Sequence, residues 1–167
     1  GDGEVTHIDE VQARIDLANE AGADLLLSIH QNAYERADGG YAGDVGGTVV
    51  YYCADRPFAE RSALLAGLVH AHILDAFDDL GHDVRDRGVW DDAVLQEPGE
   101  PGKHIVLLGP ESERTARPSE MPGVLSETLF ITHDLEAQLA RDPVALDRFA
   151  LAYADAIDAY WAATDLR

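Results

Sequence analysis

The sequence predicts a single α/β domain over residues 1–167, with helices on both faces of a largely parallel or mixed sheet, giving three layers. Runs typical of β-strands alternate along the chain with stretches whose apolar residues recur at helical spacing. The run at 23–30 is almost continuously apolar, as in a strand that is buried on both faces of a parallel sheet. With 167 residues, 46% of them hydrophobic, the chain has enough material for one packed core but not for two.

The first two elements are a helix and a buried strand. Thr6 and Asp9 have the spacing of a capping box, which predicts that a helix begins there. Gly22 predicts its end. Between them, apolar residues follow at helical spacing: Ile8, Val11, Ile15 and Ala18. The strand at 23–30 comes directly afterwards, and we expect it inside the sheet.

The middle of the chain predicts a loop, a strand and a long helix. Residues 34–47 are rich in glycine and aspartate without periodicity, which indicates an irregular, mobile loop. Residues 48–53 are rich in valine and tyrosine and predict a second strand. Pro57 is well placed in the first turn of a helix, which Gly81 ends.

The second half predicts further strands and a closing helix. The polar stretch at 82–103 contains several prolines and glycines, and a short strand is expected within 89–95. Strands are predicted at 104–108 and 123–130, separated by an irregular loop at 109–122. Asp142 and Pro143 precede a final amphipathic helix.

The charge balance and the motifs exclude several classes of protein. The chain carries 12 basic and 32 acidic residues, a formal net charge of −20, so it repels nucleic-acid phosphate and anionic lipid. No apolar run approaches the 18 residues that indicate a transmembrane helix. There is no glycine-rich phosphate loop, no G-x-S-x-G elbow and no H-E-x-x-H motif, which argues against nucleotide binding, serine hydrolysis and zincin chemistry.

The single cysteine and most histidines are predicted to have structural or surface positions. Cys53 has no partner for a disulfide or a cysteine-based zinc cluster, and its apolar surroundings predict a buried thiol. His70 and His72 stand two residues apart on a helix and therefore do not face each other. Three histidines flank residues that break helices and strands and are expected at the surface: His7, His82 and His104.

Two polar residues occupy strand positions that suit a functional site. His30 ends the predicted strand 23–30, and the carboxyl ends of strands are where ligands bind in open α/β sheets. Glu127 alternates with Leu125 and Leu129, which places it on their face of a strand. A carboxylate there costs several kcal/mol unless it is paired, bound to metal or protonated. Burial also raises its pKa toward the range useful for proton transfer at neutral pH.

Each of these residues also has a structural interpretation on sequence grounds alone. His30 fits a hydrogen-bonded histidine at the end of a strand, and Glu127 fits a buried salt bridge with an arginine.

Two ordered motifs resemble a known enzyme family. The run Leu-Ser-Ile-His-Gln-Asn-Ala at 27–33, preceded by Arg14 and by Ala18-Asn19, resembles the central motif of zinc-dependent N-acetylmuramoyl-L-alanine amidases of the amidase type 3 family. The run Met-Pro-Gly-Val-Leu-Ser-Glu-Thr-Leu-Phe-Ile at 121–131 resembles a second family motif. Residues 47–52 and 87–89 resemble intervening segments, so the resemblance covers essentially the whole chain in the family's order.

This resemblance implies a fold, a reaction and site residues. It implies a peptidoglycan hydrolase that cuts the amide between N-acetylmuramic acid and the L-alanine of the stem peptide, with Zn²⁺ as its cofactor. His30 takes the position of a zinc ligand and Glu127 that of the catalytic acid and base. Because the substrate lies outside the cytoplasm, the resemblance also implies an extracytoplasmic location.

Two departures from the family pattern lead to further expectations. The family begins with a strand ending in Gly-His-Gly, followed by a glutamate, and these supply two more zinc ligands. Neither occurs here, so we expect an N-terminally truncated domain that lacks its first strand–helix–strand unit and binds zinc weakly as it stands. His133 stands where the family carries asparagine, which we expect to be neutral, the alternative being a substrate contact.

Two other functions remain compatible with these residues. One is a non-catalytic homologue with an incomplete zinc site that binds peptidoglycan or regulates a partner. The other is a different zinc hydrolase of the same architecture, such as an exopeptidase, which would need additional carboxylate ligands.

Overall fold

The computed structural model describes residues 5–95 and 103–164 of the chain. Within these ranges, β-strands and α-helices alternate in the predicted manner. In chain order they are α1 (His7–Glu20), β1 (Leu26–Asn32), β2 (Thr48–Tyr52), α2 (Ala59–Asp79), β3 (Asp86–Asp91), β4 (Gly123–Phe130), α3 (Glu136–Leu139) and α4 (Pro143–Thr164). A 3₁₀ turn at Asp92–Leu95 follows β3 directly.

The four strands form one mixed sheet in the order β1-β4-β2-β3. β1 runs parallel to β4, and β2 runs parallel to β3. The two pairs are joined by the antiparallel contact between β2 and β4. The carboxyl ends of β1 and β4 therefore lie at one end of the sheet, and those of β2 and β3 lie at the other.

Two apolar cores, one on each face of the sheet, confirm the predicted layers. Val50 and Val124 belong to a core with residues of α2 and α4. Their neighbours Tyr51 and Leu125 belong to a second core, which contains residues of α1 and of the segment 105–108. Because successive side chains of a strand point to opposite faces, this alternation places helices on both sides.

The capping box predicted at the start of α1 is present. The Asp9 amide donates to the Thr6 hydroxyl oxygen at 3.3 Å, and the Thr6 amide donates to the Asp9 carboxylate at 2.8 Å. Two otherwise unpaired amides at the helix start are thereby satisfied. The helix then buries Val11 and Ile15 against the second core.

The strand predicted at 104–108 is wrong. This segment forms a turn in which the amides of Leu108 and Gly109 both donate to the carbonyl oxygen of Ile105 at 2.9 Å. Its apolar side chains are buried against α1 and Leu125, so hydrophobicity here reflects packing on the face of the sheet. A short apolar run alone does not distinguish these two arrangements.

The predicted place of the first strand is half right. β1 lies next to β4, which carries Glu127, as expected. It does not lie inside the sheet, because within the described ranges it pairs only with β4 and occupies an edge. Ile29 of β1 is accordingly 52% exposed.

The remaining segments add little regular structure. The loop at 34–47 is irregular as predicted, apart from an antiparallel bridge between Glu35 and Tyr41. The short strand expected within 89–95 begins earlier, at Asp86, and part of the polar stretch 82–103 lies outside the described residues. Among the helices described, none has the length and apolar character needed to cross a membrane.

Candidate functional site

The structure places His30 and Glu127 side by side. They are direct partners in the parallel ladder between β1 and β4, with His30 opposite Glu127. Paired residues of adjacent strands project on the same face of a sheet, so an imidazole and a carboxylate share one face near the carboxyl ends of both strands. The proximity follows from the register of two segments almost 100 residues apart in sequence.

Glu127 has a carboxylate oxygen that burial removes from water without a compensating hydrogen bond in the described structure. One of its oxygens, Oε2, is buried and has no hydrogen-bond partner among the described residues. Burial alone raises the pKa of Glu127 to about 7. A carboxyl group with this pKa can both accept and donate a proton near neutral pH, which is the requirement for a general acid and base.

The salt-bridge interpretation of Glu127 finds no support within the described ranges. Burial is the cause of its raised pKa, and no cation contributes to it. The expected packing between Leu125 and Leu129 also differs in detail. Leu125 belongs to the core beside α1, whereas Leu129 belongs to the core formed with α2 and α4, so the two leucines do not enclose the carboxylate in one apolar layer.

A hydrogen-bond network on the opposite face of β4 holds the backbone around Glu127. The Tyr153 hydroxyl of α4 donates to the Ser126 hydroxyl oxygen at 2.8 Å and lies 2.7 Å from the Thr128 hydroxyl. The Thr128 hydroxyl also donates to the His30 carbonyl oxygen at 3.3 Å. These buried contacts connect the residues on either side of Glu127 to α4 and to β1, which fixes both strands at the site.

The carboxylate of Glu136 fixes the loop next to the site. Glu136, which is 2% exposed, accepts the Gly47 amide at 2.8 Å and the Phe130 amide at 2.7 Å, one on each carboxylate oxygen. It therefore connects the start of β2 to the end of β4. A side chain at Gly46 would place its Cβ 2.2 Å from Glu136 Oε1, so this approach requires glycine.

A cavity of about 320 Å³ borders His30 on the side of α1. Its described lining has cationic side chains from Arg14, Lys103 and Arg114 and includes no aspartate or glutamate. This is unusual for a chain with 32 acidic and 12 basic residues. The cavity is therefore a local region of positive charge on an acidic protein, next to His30.

The described residues fit a zinc ion at His30 only in part. An imidazole is a good zinc ligand, and the orphaned Glu127 oxygen lies beside it. A catalytic zinc needs three protein ligands, and within the described ranges no group of three histidine, cysteine or acidic side chains converges at His30. Within the described ranges, one exposed imidazole and one carboxylate with an unpartnered oxygen meet there.

A different polar cluster lies at the opposite end of the sheet. His104 Nδ1 lies 2.7 Å from Asp92 Oδ1 and 3.4 Å from Cys53 Sγ. Cys53 and Asp92 are 1% and 0% exposed, and the His104 side chain is 6% exposed. The prediction that Cys53 is buried is confirmed, and the prediction that His104 lies at the surface is wrong.

The surface prediction for His104 failed because acidic partners distant in sequence contact its ring. His104 is buried because Asp92 and Asp55 both contact its ring, with Asp55 Oδ2 at 3.3 Å from Nε2. His70 is also buried, with Nε2 at 2.7 Å from Asp86 Oδ1. His133 accepts the Glu136 amide at 3.3 Å through Nδ1, which gives it a local structural contact. The pairings of His70 with Asp86 and of His104 with Asp92 have no local sequence signal, whereas His133 and Glu136 are only three positions apart.

Comparisons with known proteins agree on one family. The family model described as N-acetylmuramoyl-L-alanine amidase matches residues 2–159. No curated protein sequence gives a match.

Three solved structures are similar to this chain. An N-acetylmuramoyl-L-alanine amidase from Clostridium difficile 630 is 24% identical, with a TM-score of 0.67 over 92% of this chain and 66% of that chain. The amidase AmiC2 of Nostoc punctiforme is 25% identical, with a TM-score of 0.63 over 89% and 64%. The CwlV catalytic domain from Bacillus (Paenibacillus) polymyxa var. colistinus is 22% identical, with a TM-score of 0.61 over 90% and 64%. The chain thus spans about two thirds of the length of these structures.

Proposed function

Because the chain belongs to the N-acetylmuramoyl-L-alanine amidase family, we propose that the protein hydrolyses the amide between N-acetylmuramic acid and the L-alanine of peptidoglycan stem peptides. The observation that carries this proposal is the pairing of His30 with Glu127, whose buried carboxylate has an unpartnered oxygen. A buried carboxylate oxygen without a hydrogen bond lowers the stability of the fold, and such groups are typical of active sites.

Glu127 is the proton-transfer group of the proposed reaction. Its carboxylate takes a proton from the water that attacks the lactyl carbonyl carbon. As the carbon–nitrogen bond breaks, the same proton passes to the departing amine of L-alanine. The pKa of about 7 suits both directions of transfer, because the group is neither a strong acid nor a strong base at neutral pH.

His30 is the proposed zinc ligand of this chain. Its side chain is exposed at the end of β1, beside Glu127, where an ion can be reached by substrate. His30 would hold a zinc ion there, and the ion would supply polarisation of the scissile carbonyl and a lowered pKa of bound water. Within the described ranges, no further pair of histidine, cysteine or acidic side chains converges with His30.

The cationic cavity next to His30 supports a peptide substrate that carries carboxylates. Arg14 and Arg114 line it together with Lys103, and the described lining offers no acidic group that would repel such a peptide. Stem peptides contain free carboxyl groups, so the cavity complements their charge. A substrate in the cell wall also implies that the protein works outside the cytoplasm.

Peptidoglycan digestion by the zinc-loaded protein tests the proposal. We expect new L-alanine amino groups and glycan strands with free lactyl carboxylates, detected by mass spectrometry. Glu127→Gln should abolish their release, whereas Glu113→Gln, at an exposed position in the loop before β4, should leave it unchanged. Wild-type protein that binds peptidoglycan and releases no amino groups would overturn the proposal in favour of a non-catalytic homologue.

A further inference from the structure

The parallel pairing of β2 and β3 brings together Cys53 and Asp92, which follow these strands directly. His104 reaches the same point from the next described segment of the chain. One ligand atom from each of the three side chains lies within 4.8 Å of the other two. Three chemically different metal-binding groups therefore converge in the buried interior from three separate segments.

We propose that Cys53, Asp92 and His104 form a second metal site, selective for zinc among common divalent ions. Thiolate, imidazole and carboxylate are all zinc ligands, and a thiolate disfavours the hard ions magnesium and calcium. The site is distinct from the one proposed at His30. Glu127 lies opposite Val49, and Cys53 is four positions further, about 13 Å along the strand at about 3.3 Å per residue, although His104 and His30 line the same cavity.

The observed distances are close to those of a tetrahedral zinc site. Zinc–sulfur and zinc–nitrogen bonds of about 2.3 and 2.05 Å place the two ligand atoms about 3.6 Å apart. The Cys53 Sγ to His104 Nδ1 distance is 3.4 Å. The His104 to Asp92 distance of 2.7 Å is that of a hydrogen bond and must open to about 3.3 Å, which corresponds to replacing a shared proton by a metal ion.

The arrangement does not suit a cysteine nucleophile. In a nucleophile–histidine–acid triad, the nucleophile contacts one ring nitrogen and the acid contacts the other. Here Cys53 Sγ and Asp92 Oδ1 both contact Nδ1 of His104, and although Asp55 Oδ2 contacts Nε2, Cys53 is only 1% exposed, so a substrate does not reach its sulfur. Sγ of Cys53, Oδ1 of Asp92 and Nδ1 of His104 therefore face one common point, as ligand atoms do around a metal ion.

The other ring nitrogen of His104 has the partner that a metal-bound imidazole requires. Asp55 Oδ2 lies 3.3 Å from Nε2 and can accept a hydrogen bond from an Nε2–H group. This tautomer of the ring leaves the Nδ1 lone pair for the metal. Carboxylates commonly orient metal-binding histidines in this way. Metal binding releases the thiol proton of Cys53 and the proton between Nδ1 and Asp92, and water completes the fourth position.

The pair of His70 and Asp86 provides an internal comparison. It has the same 2.7 Å contact between a buried imidazole and a carboxylate. It is absent from the metal-ligand groups found in the described part of the chain, because no third ligand converges on it. Two features separate the proposed site from the His70–Asp86 pair: the sulfur of Cys53, and the full burial of Asp92 where Asp86 is 60% exposed.

Cobalt substitution tests the proposal, because tetrahedral Co²⁺ bound to a thiolate gives a sulfur-to-metal charge-transfer band in the near ultraviolet. Cys53 is the only cysteine, so ions bound at His30 cannot produce this band. We expect one equivalent of Co²⁺ to give the band in the wild-type protein, and Zn²⁺ to displace it. Cys53→Ala and His104→Ala should abolish it, and Asp55→Asn should weaken metal binding about 10–100-fold.

Two controls and one result decide the outcome. His70→Ala and His30→Ala should each leave the band at wild-type intensity, and circular dichroism should show that every variant is folded. If wild-type protein that is both incubated and refolded with Co²⁺ shows no charge-transfer band, the proposal is wrong. That result leaves the proposed amidase activity untouched, because Glu127 and His30 are tested by hydrolysis.

Discussion

The two ends of the sheet carry polar side chains in opposite states. At the carboxyl ends of β1 and β4, His30 is exposed and Glu127 keeps a buried oxygen without a hydrogen-bond partner in the described structure. At the carboxyl ends of β2 and β3, Asp92 is fully buried, and its two oxygens contact His104 and the Ile105 amide. The first end therefore has a buried oxygen without a hydrogen-bond partner in the described structure, and at the second end both oxygens of the buried Asp92 carboxylate have partners.

This difference separates a carboxylate that lacks a hydrogen-bond partner from a cluster whose contacts stabilise the fold even without a metal ion. A satisfied buried network rigidifies the structure, whereas an unpartnered carboxylate destabilises it. The same change, removal of a carboxylate, should therefore have opposite effects on stability at the two ends. Catalytic activity should depend on one end and not on the other.

The largest expected effect is the loss of activity in Glu127→Gln. The amide keeps the size of the side chain but cannot accept a proton, and general acid–base catalysis typically contributes about 10²–10⁴-fold. We expect muropeptide hydrolysis by the zinc-loaded protein to fall by that factor while zinc content and circular dichroism stay unchanged. Activity within a few-fold of wild type would assign proton transfer to another residue.

The next effect is the destabilisation caused by Asp92→Ala. This change leaves the buried ring of His104 and the Ile105 amide without their acceptor, and breaking a buried pair costs about 3–5 kcal/mol. Urea unfolding with a chelator present measures it. The exposed pair between Arg36 and Asp44, at 2.6 Å, provides the matched control, because solvent screens it and Asp44→Ala should leave the urea midpoint close to that of wild type. Equal losses in both variants would contradict the comparison.

The third effect is a pH-dependent gain of stability in Glu127→Gln. Glu127 has a folded-state pKa of about 7 and an ordinary value of 4.5, so the folded state binds the proton more tightly. The wild type therefore loses stability from this group as pH rises from 4.5 through 7, and the variant does not.

Thermal unfolding at a series of pH values checks this prediction. The difference in Tm between variant and wild type should be near zero at pH 4, grow up to about pH 7 and stay constant above it. A variant that is less stable than wild type at pH 8 would show that the carboxylate has a favourable partner.

The smallest effect is expected for the stability of His30→Ala. The His30 side chain is exposed and belongs to neither apolar core of the described structure, so the free energy of unfolding should change by no more than about 0.5 kcal/mol in the presence of a chelator. His104→Ala at the other end should destabilise the protein several times more. A large loss in His30→Ala would identify it as a structural histidine.

Local patterns in the sequence were sufficient for most elements and for the two residues of the candidate site. The capping box of α1, the alternation around Glu127 and the glycine stops depend on residues within a few positions of each other, and the structure contains them. The sequence prediction failed at 104–108, where a short apolar run packs on the face of the sheet as a turn. The edge position of β1 also could not be predicted, because strand order is a property of long-range pairing.

The sequence by itself determined that the domain is α/β and that His30 and Glu127 each stand within a β-strand. Only the tertiary structure decided that the two are ladder partners, since strand register joins segments that are remote in the chain. It also decided that Cys53, Asp92 and His104 meet. Whether a titratable side chain is buried, and what it then contacts, depends on which distant segments pack around it, and no periodicity of 2 or 3.6 residues carries that information.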